Sequence, residues 1–193
     1  TESNRQLKEF NSSIEKSTMV GMFIRAGYNY RNKYIASVTV RRDGSSKFGE
    51  ATRWGTFPSY GLGYAFSEEN YMDWARSVLN YGKLRVSYGT SGKQFESPYL
   101  AYGVIQPGIY NFNGNPTVEP EWFYGLINRN LTWERTKQWD LGIDLDLFEY
   151  RLGITLDYYH RYTDKLLYSV PLPGNYNGYL YQWQNAYGIS NQG

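Results

Sequence analysis

The run Thr136–Phe148, TKQWDLGIDLDLF, alternates without a slip. Trp139, Leu141, Ile143, Leu145 and Leu147 fall on one side of an extended chain, and Gln138, Asp140, Gly142, Asp144 and Asp146 on the other. Successive side chains of a strand project to opposite faces, so this period of two predicts a β-strand that is apolar on one face only. Glu149-Tyr150 then turns the chain, and Leu152, Ile154, Leu156 and Tyr158 continue the apolar face.

The same pattern recurs upstream. Val20, Met22, Ile24, Ala26, Tyr28 and Tyr30 alternate with Gly21, Phe23, Arg25, Gly27 and Asn29. After the short polar turn Arg31-Asn32-Lys33, Tyr34, Ala36, Val38 and Val40 resume the apolar row, which is a hairpin pattern. Tyr60, Leu62, Tyr64 and Phe66 form a third strand, Leu84, Val86 and Tyr88 a fourth, and a last strand closes on NAYGISNQG. The connector SEENYMDWARSVLN has room for one helical turn, and residues 90–133 allow one short strand near 99–104.

Composition removes several function classes. The chain has 193 residues, a net charge of +2 and no Cys, which excludes disulfide frameworks, thiolate metal sites and cysteine catalysis. The single His, His160, cannot alone build a histidine metal site or a triad; contact at an interface or in a loop is expected of it. Near-neutral charge gives no case for nucleic acid. Tyr (21) and Gly (20) dominate, as in a β-rich chain with many turns. Mean hydropathy is −0.63, which is compatible with a membrane β-barrel because only one residue in two faces lipid.

Seven strands of this kind, each longer than the ~5–6 residues usual in soluble proteins, approach the ~9–11 needed to cross a bilayer. Their connectors alternate: short at 31–33 and 149–150, middling at 67–80, and long at about 43–56, 90–133 and 164–182. Short turns on one side and long loops on the other are the pattern of an outer-membrane barrel, and Tyr28, Tyr30, Tyr34, Trp54, Tyr88, Trp139 and Tyr158 sit where interfacial girdles are placed. An odd strand count predicts a piece of a larger barrel. The alternation alone accommodates a soluble β-sandwich or barrel equally well.

No catalytic constellation stands out. Asp140, Asp144 and Asp146 line one strand face, where a watery lumen or a solvent surface is the expected environment rather than a cation site. Asp43-Gly44-Ser45-Ser46 lacks the further ligands of a calcium loop and reads as a turn, with Gly44 supplying positive φ. Gly61-Leu62-Gly63 lies in a strand, where glycines allow close approach of a neighbour. The aromatics of 99–124, Trp122, Phe123 and Tyr124 among them, either contact a ligand or partner or pack inside their own loop.

More specific than periodicity is the run Arg42-Asp43-Gly44-Ser45-Ser46-Lys47-Phe48-Gly49, with Arg53-Trp54-Gly55 and Phe57-Pro58-Ser59 after it. It resembles a motif of SusC/RagA-type TonB-dependent transporters, outer-membrane barrels of Bacteroidetes. The likeness continues through Leu84-Arg85-Val86-Ser87-Tyr88-Gly89, Leu131, Trp133-Glu134, Gln138, Asp140, Gly142, Asp144, Asp157-Tyr158-Tyr159 and the closing Asn185, Gly188, Asn191 and Gly193; Lys93 after Gly92 departs from it.

The resemblance implies that residues 1–193 are part of one all-β, antiparallel transmembrane barrel of 22 strands, in its C-terminal half. The barrel is filled by a plug that these residues do not include. It implies import of an oligosaccharide or peptide across the bacterial outer membrane, under a SusD-like surface lipoprotein and driven by the TonB complex, with no cofactor and no bond made in the cargo. Leu141, Ile143, Leu145, Leu152, Ile154 and Leu156 would then face outer-membrane lipid, and Asp140, Asp144 and Asp146 the lumen. The alternatives are a soluble secreted β-protein that binds glycans through its aromatics, or the same barrel serving another outer-membrane assembly.

Overall fold

In the computed structural model, which describes residues 14–113, 115–120, 125–176 and 179–193, seven strands form one antiparallel sheet. They are β1 (Met19–Tyr30), β2 (Tyr34–Ser45), β3 (Trp54–Tyr64), β4 (Leu79–Lys93), β7 (Glu134–Leu147), β8 (Leu152–Tyr176) and β9 (Tyr179–Gln192), hydrogen-bonded in that order. Between β4 and β7, a separate hairpin of β5 (Ile105–Phe112) and β6 (Asn115–Pro120) stands apart from the sheet. Every pairing is between sheet neighbours in chain order, the meander of an up-and-down barrel wall.

The turn end of the sheet is compact. Arg31 and Asn32 have φ of 53° and 56°, and Lys33 N–H donates to Tyr30 C=O at 3.0 Å, closing the hairpin through the three-residue loop Arg31-Asn32-Lys33. At the β7–β8 turn, Phe148, Glu149 and Tyr150 all take positive φ, and the Asn80 side-chain oxygen accepts the Glu149 N–H at 2.7 Å. Between β3 and β4 the chain makes short 3₁₀ turns at Phe66–Glu68 and Asn70–Ala75, where the sequence leaves room for a helical turn.

The loop end differs from expectation in four places. The connection expected over 43–56 shrinks to 46–53, because Asp43 and Gly44 pair with both β1 and β3, and Ser45 with β1. Gly44 is therefore not a turn residue: it is absent from the positive-φ glycines, and a Cβ there would meet the Trp54 ring at 2.8 Å. Its glycine is explained by an indole lying across the strand.

The stretch 164–182 is mostly paired rather than looped, since β8 runs on to Tyr176 and β9 starts at Tyr179. The hairpin leaves the regular ladder at Lys165, where φ is 58° and the register with β9 shifts. Residues 98–102 form turns, and the local strands of the long connection are β5 and β6 instead of 99–104. Trp122, Phe123 and Tyr124 lie outside the described residues.

The buried core sits at this loop end. Phe48, Phe57, Phe95, Leu100, Ala101, Leu131 and Trp133 form one cluster, drawn from three loops and one strand position. Phe48 packs edge-on to Phe95 and against Trp133, with ring centroids 4.7 Å apart in both cases. Backbone groups of the loops are satisfied from outside: Lys47 Nζ donates to Phe95 C=O, Thr52 Oγ1 to Leu131 C=O at 2.7 Å, and Tyr102 OH to Phe48 C=O at 2.8 Å. Buried loops must find such partners.

Candidate functional site: a two-faced wall and its rim

Directly opposed residues of an antiparallel pair share a face, so the register fixes two faces across the sheet. One unbroken rung runs Tyr28, Ala36, Leu62, Val86, Leu141, Tyr158. The next rung toward the turn end runs Tyr30, Tyr34, Tyr64, Leu84, Ile143, Leu156. This face is apolar and open: Ile24 is 78% exposed, Leu62 62% and Leu156 63%. Leu141, Ile143, Leu145, Leu152, Ile154 and Leu156 all belong to it. Tyr34 and Tyr64 stack at 5.2 Å near the turn end, and Trp139 meets Tyr158 at 5.4 Å and the His160 ring at 5.9 Å. His160 thus stands on the apolar face within β8, with Nε2 3.2 Å from Ser190 Oγ.

The opposite face carries Arg25, Thr39, Ser59, Gly89, Gln138 and Arg161 on one rung, and Asn29, Ile35, Gly63, Arg85, Gly142 and Asp157 on another. Asp140, Asp144 and Asp146 share this face, but the structure gives them different surroundings. Asp144 is held by Arg85 through two hydrogen bonds, at 2.7 and 3.0 Å, and accepts a third from Thr155 at 3.2 Å. Asp140 accepts from Ser87 at 2.9 Å and from Gln138 at 2.8 Å. Asp146 lies farther toward the turn end, beside Gly153.

Sequence reasoning missed Arg85 and Asp157 as members of this cluster. Arg85 also donates to Asp157 at 3.0 Å, so one guanidinium links β4, β7 and β8. Gly142 makes room for it, since a Cβ there would meet Asp157 Oδ1 and the Arg85 guanidinium together. Each residue's alternation was visible, but the pairing that brings 85, 144 and 157 side by side is a property of register. Among the described residues no group of three or more His, Asp or Glu side chains is arranged to hold a metal ion.

At the loop end, the segment before β7 is fastened to the β8–β9 hairpin. Leu126 N–H donates to Tyr181 C=O at 2.9 Å, and Asn128 Nδ2 to Trp183 C=O at 2.9 Å. Asn185 imitates a strand partner: its Oδ1 accepts Thr132 N–H and its Nδ2 donates to Thr132 C=O, both at 2.9 Å, with Lys165 C=O also within reach of Nδ2 at 2.7 Å. The long connection is thereby tied across the rim rather than free.

Residues 2–193 match the family model described as TonB dependent receptor-like, beta-barrel. The chain belongs to this family. Among curated relatives of the receptor family, TonB-dependent receptor P39 of Formosa agariphila is 38% identical over 174 residues, covering 86% of this chain and 16% of its own. TonB-dependent receptor SusC of Bacteroides thetaiotaomicron is 35% identical over 191 residues, covering 97% of this chain and 19% of its own. Of solved structures, the RagAB peptide importer in its open-open state superposes with a TM-score of 0.82 at 26% identity, over 91% of this chain and 19% of that one.

The receptor barrel assigned here is therefore SusC/RagA-type, and the chain spans less than one fifth of the length of these relatives. The siderophore receptor PirA of Pseudomonas aeruginosa shares the fold, with a TM-score of 0.57 at 16% identity.

Proposed function

We propose that this chain is a section of the wall of an outer-membrane TonB-dependent importer. Its apolar face meets lipid, its polar face lines the lumen against a plug, and its loop end forms the outer rim. The observation that carries this reading is a drift of the apolar band across the sheet. On β1 the band centres near Ile24, while on β8 it centres near Leu156, which shares a rung with Tyr30, six residues farther toward the turn end than Ile24. At about 3.3 Å per residue that is roughly 20 Å of drift, across five strand steps of about 4.8 Å each. The ratio corresponds to a strand tilt of about 40°, within the ~35–45° of transmembrane barrels. A horizontal slab of lipid crossed by tilted strands produces such an oblique band.

A soluble glycan-binding sheet gives no reason for that drift, nor for leaving Ile24, Leu62 and Leu156 open together. The relatives named as importer and receptors support cargo uptake as the activity, with a SusD-like lipoprotein above the rim and the TonB complex below the plug. Oligosaccharides and peptides are the cargo classes proposed. The barrel is proposed to move its cargo without altering it.

The test uses the full-length receptor in its own host. It is expected in the outer-membrane fraction, co-purifying with a surface lipoprotein, and uptake should stop when the proton gradient is collapsed. A receptor recovered as a soluble monomer would overturn the proposal.

A further inference from the structure

The connector between β3 and β4 is folded onto one face of the sheet. Phe66 covers Gly82, so closely that a Cβ on Gly82 would overlap its ring. Gly82 pairs with Leu145, and both lie on the apolar face. Tyr71 OH is 3.0 Å from the OH of Tyr64, an apolar-face residue. The Glu69 carboxylate accepts from Tyr34 OH at 2.8 Å and from Lys33 Nζ at 3.3 Å. Three successive contacts thus place the connector against the apolar side of the turn end.

That placement aims a row of apolar side chains outward. Residues three apart in a 3₁₀ turn eclipse one another, so within Asn70–Ala75 Trp74 projects on the side of Tyr71. Trp74 is 81% exposed, and Tyr71 and Val78 beside it are also open. The nearby charges, Asp73 and Arg76, answer each other at 3.0 Å. We infer that residues 66–78 form a foot lying in the headgroup region of the bilayer at the turn end, anchored by Trp74. An indole suits that zone, with an apolar body for the acyl boundary and an N–H for water or headgroup oxygen. The foot continues the tyrosine row Tyr28, Tyr30, Tyr34 and Tyr64, so lipid is the occupant to which the surface is continuous.

This inference rests on the apolar face being lipid-facing, and the experiment separates the two. The described part of the chain contains no cysteine. Single substitutions Trp74→Cys, Val78→Cys, Leu156→Cys and Glu149→Cys in the full receptor, labelled with an environment-sensitive fluorophore, are placed in vesicles of phosphatidylethanolamine and phosphatidylglycerol. The unsubstituted receptor serves as the labelling blank. Quenching is read from lipids brominated near the headgroup and from aqueous iodide.

Labels at 74 and 78 should lose emission to brominated lipid and be shielded from iodide, whereas the label at 149 should respond to iodide. If 156 responds to brominated lipid while 74 and 78 behave like 149, the foot is overturned and the wall stands. Protection of 74 and 78 from both quenchers would mean a protein partner, which also overturns it. If 156 itself ignores brominated lipid, the lipid-facing reading falls and the foot with it. Val78→Cys keeps the test intact should Trp74→Cys fail to insert.

Discussion

Arg85 grips Asp144 with a fork of two hydrogen bonds, Nε to Oδ2 at 2.7 Å and Nη2 to Oδ1 at 3.0 Å, and passes the same Nη2 on to Asp157. A lysine carries the charge but not the fork. Because both partners are about a third exposed, Arg85→Lys should cost only on the order of 0.5 kcal/mol. Gly142→Ala should cost more, about 1–3 kcal/mol, because its methyl would displace both the guanidinium and Asp157. The temperature at which the purified receptor loses its folded mobility on gels orders the two variants. A harmless Gly142→Ala would show that the cluster is not held by this geometry.

Ile143 and Ile154 lie on the apolar face, in or beside the rung of Leu156 on which the apolar band of β8 centres. Arginine at either position is expected to cost about 2–4 kcal/mol and to prevent assembly, the penalty of a cation at bilayer mid-depth. Thr155→Lys, next to Ile154 but on the polar face beside Asp144, should assemble normally. Outer-membrane yield of folded receptor is the measurement, and equal yields for Ile154→Arg and Thr155→Lys would erase the distinction between the faces.

Phe48 is fully buried between Phe95 and Trp133. Phe48→Ala should remove about 3–5 kcal/mol from the rim cluster, as aromatic truncations in packed cores do. The strands below it keep their pairing, so barrel assembly should be unaffected while the 94–133 connection opens. Protease added to intact cells should then cut that connection in the variant and spare it in the parent. Loss of assembly instead would make the cluster part of the wall's own folding.

Asn185 acts through both ends of its amide on Thr132. Asn185→Asp keeps the acceptor but sets a carboxylate oxygen against the carbonyls of Thr132 and Lys165, where the Nδ2 donor had been. Hydrogen exchange at 126–133 should accelerate, with the wall strands unchanged. No change there would mean that the Leu126 and Asn128 contacts alone hold the segment down.

The wall was legible because its information is local. Leu141 and Asp140 differ by one position, and alternation assigns them to opposite faces without any knowledge of neighbours. The rim was not legible for the opposite reason: Phe48, Phe95 and Leu131 are far apart in sequence and meet only once the loops fold back. Gly44 misled because glycine in a polar run usually signals a turn, whereas here it makes room for Trp54. Arg85 and Asp157 were visible singly, and only register joined them.

Glu69 provides a pH-dependent clasp at the base of the connector. The hydrogen bond from Tyr34 OH, helped by Lys33, holds its carboxyl below the usual carboxylate range against the opposing effect of desolvation. A carboxyl with a depressed folded value contributes its stability above the ordinary value of about 4.3, and loses it as pH falls through the folded one. The connector should therefore stay clasped at neutral pH and loosen only in acid below the ordinary carboxylate range. Glu69→Gln keeps an acceptor for Tyr34 but cannot titrate, so its response to acid should be flat at this site. A fluorophore on Val78→Cys, followed as pH is lowered in the parent and in the Glu69→Gln background, reads the difference. Identical titrations in the two backgrounds would assign any acid loosening to another group.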